Sequence, residues 1–125
     1  GYRVLKFDRK KQRVEGSLKI RKDHLSPAGR VHGGVISGFF DFACGVAAFT
    51  TMDDSDFCST VELKVNYFLP IELGDNLIVK TKVVFRGRKI CVIHGYIYRK
   101  NQTQPTAMAT ATFNIVSDRK LTIDS

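Results

Sequence analysis

Residues 33–52 read GGVISGFFDFACGVAAFTTM, the most apolar stretch of the chain. Val35, Ile36, Phe39, Phe40, Phe42, Ala43, Val46, Ala47, Ala48 and Phe49 leave almost no polar side, the pattern of a buried central helix. A membrane span is the competing reading. It fails because the run barely reaches the ~20 residues a bilayer requires, and because Asp41 near its middle would be costly in lipid. On either side the texture is that of β-structure. Residues 2–8 (YRVLKFD) and 13–21 (RVEGSLKIR) are short strand-like runs joined by the basic, exposed loop Arg9-Lys10-Lys11-Gln12. Residues 22–32 carry Asp23, Ser26, Pro27 and Gly29 and read as a loop. After the turn-like stretch Asp53 to Asp56, four runs at 59–69, 76–86, 89–99 and 106–116 alternate with period two. The second is clearest, with Leu77, Val79, Thr81, Val83 and Phe85 on one face and Ile78, Lys80, Lys82, Val84 and Arg86 on the other. Short, turn-forming connections predict an antiparallel meander of these last four strands. The order β-β-α-β-β-β-β defines an α+β chain, and its economical packing is a sheet of about six strands curled around one long helix.

The 125 residues, 43% hydrophobic, suit a single domain over 1–125 and exclude separate cofactor and substrate lobes. So short a chain has difficulty enclosing a wide cleft by itself, which raises the prospect of a site shared between subunits. Lys and Arg outnumber Asp and Glu by 20 to 12, a net charge of +8. Such a charge favours a polyanionic partner, either nucleic acid or a phosphorylated ligand. The basic residues are scattered over strands and loops with no nucleic-acid-binding motif, so no nucleic-acid partner is expected. Cys44, Cys58 and Cys91 are too few and too far apart for a disulfide framework or a close-spaced zinc site, so no metal is expected and a reducing, cytoplasmic setting fits. The opening residues are strand-like and show no secretory signal.

The loop before the helix reads Ser26-Pro27-Ala28-Gly29-Arg30-Val31-His32-Gly33-Gly34, and Asp41 follows inside the helix. Later comes Ser59-Thr60-Val61-Glu62-Leu63-Lys64-Val65-Asn66-Tyr67-Phe68-Leu69-Pro70. Gly29, His32, Gly33, Gly34, Asp41 and the Tyr-x-x-Pro ending match in spacing the motifs of the PaaI-type acyl-CoA thioesterases of the hotdog superfamily. The likeness runs from about Val14 to Val116, and on it the chain resembles that family. The resemblance implies a hotdog fold and hydrolysis of an acyl-CoA thioester to a free acid and CoA. No cofactor is implied beyond the CoA carried by the substrate. It further implies a homodimer with composite sites, commonly paired into a tetramer, and a role for Thr60 in orienting water. The chain departs from the family at Ser26, where an Asn is usual. Ser26 has less reach toward the substrate carbonyl, and its plain alternative is a cap on the Pro27 turn.

The residues support this chemistry on their own terms. Amides at a helix N-terminus lack intrahelical partners and suit an oxyanion. Gly33 lets a ligand approach that backbone closely, with Gly34 beside it as a substrate-binding candidate, and the plain alternative for the glycine pair is a tight loop-to-helix turn without a ligand. A carboxylate among Phe39, Phe40, Phe42 and Ala43 needs a partner or a purpose. Eight residues at about 1.5 Å each separate Gly33 from Asp41 by roughly 12 Å, too far to act on one carbonyl. Two helices antiparallel across a two-fold axis would bring Gly33 of one chain to Asp41 of the other. Asp41 then serves as general base or as nucleophile, both open to a carboxylate. Alternation puts Thr60 with Glu62 and Lys64, away from core Val61 and Leu63, so an ordinary surface threonine is the competing reading. His32 either braces the loop or contacts the substrate. Arg86, Arg88 and Lys89 around Gly87 are candidates for the CoA phosphates, against the plain reading of a solvated turn. Cys44 reads as a packing residue. A non-catalytic acyl-CoA-binding protein is the alternative function, motivated by Ser26.

Overall fold

The apolar run forms one helix, α1 (Gly33–Phe49), and the strands fall close to their expected places: β1 (Arg3–Asp8), β2 (Arg13–Lys19), β3 (Asp56–Tyr67), β4 (Asn76–Arg86), β5 (Ile90–Arg99) and β6 (Pro105–Ser117). A 3₁₀ turn, Lys22–His24, interrupts the loop before α1. The structure is a computed structural model and describes residues 1–117; the last part of the domain read over 1–125 lies outside the described residues.

All six strands join one antiparallel sheet in the order β1-β2-β4-β5-β6-β3. Only β4, β5 and β6 form the expected meander. β3 does not lie beside β4 but pairs with β6, from Asp56 opposite Ser117 to Tyr67 opposite Ala107. The connection 68–75 is long enough to cross the end of the sheet, and this arrangement gives β6 a neighbour on each side. Such coverage suits β6, whose Ala107, Ala109, Ala111, Phe113 and Ile115 are all buried. The sheet curls around α1, whose Phe39, Phe40, Ala43, Cys44, Ala47 and Ala48 fill the core. That is the hotdog architecture.

The helix is less enclosed than its composition suggests. Gly34 and Phe49 are exposed and Gly38, Asp41, Phe42 and Gly45 only half-buried, so one flank stays open within the protomer. Tyr2 covers part of it, stacking on Phe39 and Phe42 at 5.4 and 5.1 Å and donating to the Val35 carbonyl at 3.3 Å. A Cβ at position 38 would come within 2.7 Å of the Tyr2 hydroxyl, so a side chain there requires Tyr2 to shift. At the other end, Arg9 from the β1–β2 loop donates to the carbonyls of Phe49 and Met52 at 3.2 and 3.1 Å. A cation there joins the Met52 N–H on the Phe49 carbonyl and complements the helix dipole.

Two bulges re-aim side chains that simple alternation misplaces. In β4 the register shifts between Val83 and Phe85, and Phe85, expected on the core face, is 58% exposed. In β3 it shifts between Thr60 and Glu62, leaving Val61 as the extra residue.

Candidate active site

The loop feeding α1 is a chain of backbone bonds. Ser26 N–H donates to the Arg30 carbonyl at 2.7 Å, and Gly29 N–H to the Ser26 carbonyl at 2.9 Å. Gly29 has φ of +81°, a conformation that favours glycine. The backbone therefore closes the turn, and the Ser26 hydroxyl is not its cap. His32 N–H donates to the His24 carbonyl at 2.8 Å. The His32 ring is the N-cap: its Nδ1 accepts from Gly34 N–H at 3.1 Å. The brace reading of His32 thus has a direct geometric basis, and Nδ1 as acceptor leaves the ring proton on Nε2. Val35 N–H donates to the His32 carbonyl. Gly34 and Val35 are thereby satisfied, while the exposed Gly33 N–H has no partner among the described residues. The Gly33 carbonyl accepts from Tyr67 Oη at 3.3 Å and Ser37 Oγ at 3.2 Å, two contacts the sequence did not signal. Gly33, Val31, Ile36, Tyr67 and residues 68–73 border a cleft of about 900 Å³.

Asp41 lies on the open flank, half-buried, and its Oδ1 accepts from Thr60 Oγ1 at 2.7 Å. The bulge explains this meeting. With Val61 extruded, Thr60 and Cys58 stand opposite buried Phe113 and Ile115, and Leu63 and Val65 opposite buried Ala111 and Ala109. All four therefore share the helix-facing side, which corrects the expectation that Thr60 points away from the core. Asp41 does not border the cleft beside Gly33, and the uninterrupted helix keeps the two apart along its axis.

Residues 28–106 match the family described as the thioesterase superfamily. The chain belongs to that superfamily. A curated relative from Caenorhabditis elegans, the candidate esterase F42H10.6, is 28% identical over 102 residues. The match takes in 82% of this chain, which spans 60% of the length of that relative. Among solved structures, a candidate thioesterase related to phenylacetic acid degradation from Ralstonia eutropha JMP134 is 25% identical with a TM-score of 0.82, covering 91% of this chain and 84% of that one. The protein smu.793 of Streptococcus mutans UA159, solved bound to acetyl CoA, is 24% identical with a TM-score of 0.83, covering 94% and 90%.

Arg86 and Cys44, also singled out in this thioesterase-superfamily chain, have structural duties. Arg86 Nε donates to Thr51 Oγ1 at 2.9 Å, and its Nη1 donates to the Gly87 carbonyl, tying the β4–β5 turn to the segment after α1. Arg86, Arg88 and Lys89 do not border the Gly33 cleft of their own protomer. Burial pushes the Cys44 thiol from 9.0 up to about 12, with Asp41 and Cys91 adding to the effect. It is therefore a protonated packing group, not a nucleophile. Between those two values the unfolded chain releases a proton that the folded one keeps, so stability from this group is full below pH 9 and falls as pH rises toward 12. A urea titration series over that window should show a shallower decline for Cys44→Ala than for wild type. No group of His, Cys, Asp and Glu among the described residues is arranged to hold a metal.

Proposed function

We propose that the protein hydrolyses acyl-CoA thioesters to a carboxylic acid and CoA at sites completed by two protomers. The observation that carries this reading is the Thr60–Asp41 pair, held at 2.7 Å on the open flank of a helix whose first amide is unpartnered. The Gly33 N–H, fixed by the His32 cap and by Tyr67 and Ser37 on its carbonyl, polarises the thioester oxygen. Asp41 of the partner protomer faces the carbonyl carbon. Its Oδ1 is occupied by the Thr60 hydroxyl, leaving Oδ2 to accept a proton from water while the Thr60 oxygen accepts that water's second hydrogen. The water oxygen attacks, the tetrahedral oxyanion rests on Gly33 N–H, and collapse expels the CoA thiolate, which takes up the proton. This geometry favours the general-base route over direct attack by Asp41.

The open edge of β3, which exposes Phe57 and Val61, supports a dimer formed along that strand, with the open helix flanks facing each other. Antiparallel helices then bring the β4–β5 turn of one protomer, near the end of its helix, toward Gly33 of the other. There Gly34 lets the substrate approach the backbone, and Arg88 and Lys89 reach for CoA phosphates. The Streptococcus mutans protein binds acetyl CoA on the same fold, which supports this ligand class.

Thiol release from a panel of aromatic, short and long acyl-CoAs tests the reading directly. Turnover of any of them, abolished in the Asp41 variant discussed below, is the expected result. Tight binding of acyl-CoA with no thiol released from any would instead favour a binding protein, the reading suggested by Ser26, whose hydroxyl has no hydrogen bond among the described residues. Thr60→Val keeps the side-chain shape but removes the donor to Asp41. Loss of one hydrogen bond to a charged group predicts a fall in kcat of about tenfold or more with little change in Tm; an unchanged kcat would remove Thr60 from the mechanism.

A further inference from the structure

A second cleft, of about 630 Å³, opens where β2 ends and β4 begins. Neither Gly33 nor Asp41 borders it, and its lining holds Arg3, Lys19, Arg21 and Lys100 but no Asp or Glu. All four cations are exposed. Arg99 is ion-paired with Asp75 at 3.1 Å, so the carboxylate beside lining residue Asn76 is already taken. The cations sit on a fixed frame. Arg3 is paired across the sheet with Ser17, Lys19 with Asn76, Lys100 N–H donates to the Asn76 carbonyl at 2.8 Å, and Arg21 N–H to His24 Nδ1 at 2.8 Å. Four like charges converging on one concavity repel one another and focus a positive potential there. A compact polyanion relieves that repulsion through charge-assisted hydrogen bonds. Leu5 is exposed and Ile78 half-buried, so a small apolar part lies beside the charges, while Leu18 and Leu77 are fully buried beneath them.

We propose that this cleft binds the pyrophosphate group of a nucleotide. The inference does not depend on thioester hydrolysis. Two sources share the chemistry: the nucleotide end of CoA itself, which would move the substrate phosphates here from Arg88 and Lys89, or a separate nucleoside diphosphate acting as an effector.

Calorimetric titration of the full chain with ADP tests it without reference to turnover. Wild type should bind ADP, more weakly as salt is raised. The double variant Lys19→Ser/Lys100→Ser should bind about tenfold more weakly or worse, as expected for losing two charge-assisted contacts. Lys19→Arg/Lys100→Arg should retain binding, and so should Lys10→Ser/Lys11→Ser on the β1–β2 loop, which removes the same charge elsewhere. Displacement of ADP by CoA would assign the cleft to the substrate's own nucleotide; simultaneous binding of both would assign it to an effector. Absence of ADP binding at low salt, or equal affinity in the cleft and loop variants, overturns the proposal.

Discussion

Asp41→Asn should lower kcat at least about a hundredfold on the best acyl-CoA substrate, the scale expected for losing a general base, while leaving the fold intact. The structure makes Asn the sharper probe. Its amide oxygen can still accept the hydrogen bond that Thr60 donates to Oδ1 at 2.7 Å, so the β3–α1 contact survives and only the basic oxygen is lost. Asp41→Ala removes that contact as well and leaves the Thr60 hydroxyl to find another partner, so its effect mixes chemistry with packing. A folded Asp41→Asn protein, shown by its circular dichroism and Tm, that retained near-wild-type kcat would exclude Asp41 from the reaction. A loss of thiol release with undiminished acyl-CoA binding would place the defect in the chemical step.

The pairing of Asp41 with Thr60 shows how far a reading of residue patterns reaches. The helix was legible because ten large or small apolar side chains between Val35 and Phe49 admit few other structures, and the strands because alternation is a local property. Asp41 was legible as a carboxylate in apolar company. The Gly33 amide was legible as a helix start, and His32 beside it as either a loop brace or a substrate contact. Thr60 was legible only as a family position, since alternation alone put it on the wrong face. The bulge at Val61 depends on the partner strand β6, far away in sequence, and a one-residue slip reverses every side chain before it. The same physics hid the exposure of Phe85. The neighbour of β3 was equally illegible: short connections argue for adjacency, but the demand of β6 for cover on both sides is a property of the assembled sheet. Tyr67 and Arg86 carried signals of another kind, a motif ending and a charge run, and neither reveals the carbonyls that their side chains hold.

Gly33→Pro should lower kcat/KM by about a hundredfold to a thousandfold, the range for losing one oxyanion-hole donor, because it deletes a single N–H at an otherwise permissive position. Gly33 is the first helical residue, where proline is well accommodated since its missing amide hydrogen has no intrahelical role. The preceding His32 has φ −63° and ψ 130°, the extended conformation that a following proline requires. A side chain there finds space too, its nearest neighbour being the Tyr67 hydroxyl at 4.0 Å. The variant should therefore fold and dimerise while lacking the oxyanion donor. It also allows a test of the shared site. Each Gly33→Pro chain retains Asp41, and each Asp41→Asn chain retains the Gly33 amide. In a heterodimer of the two, one composite site carries both defects and the other carries neither. Mixing the inactive proteins under conditions of subunit exchange should restore up to about a quarter of wild-type activity, since half the dimers formed at random are mixed and each has one intact site of two. Exchange verified by mass spectrometry without any recovery would show that Gly33 and Asp41 act within one chain, which the length of uninterrupted helix between them argues against.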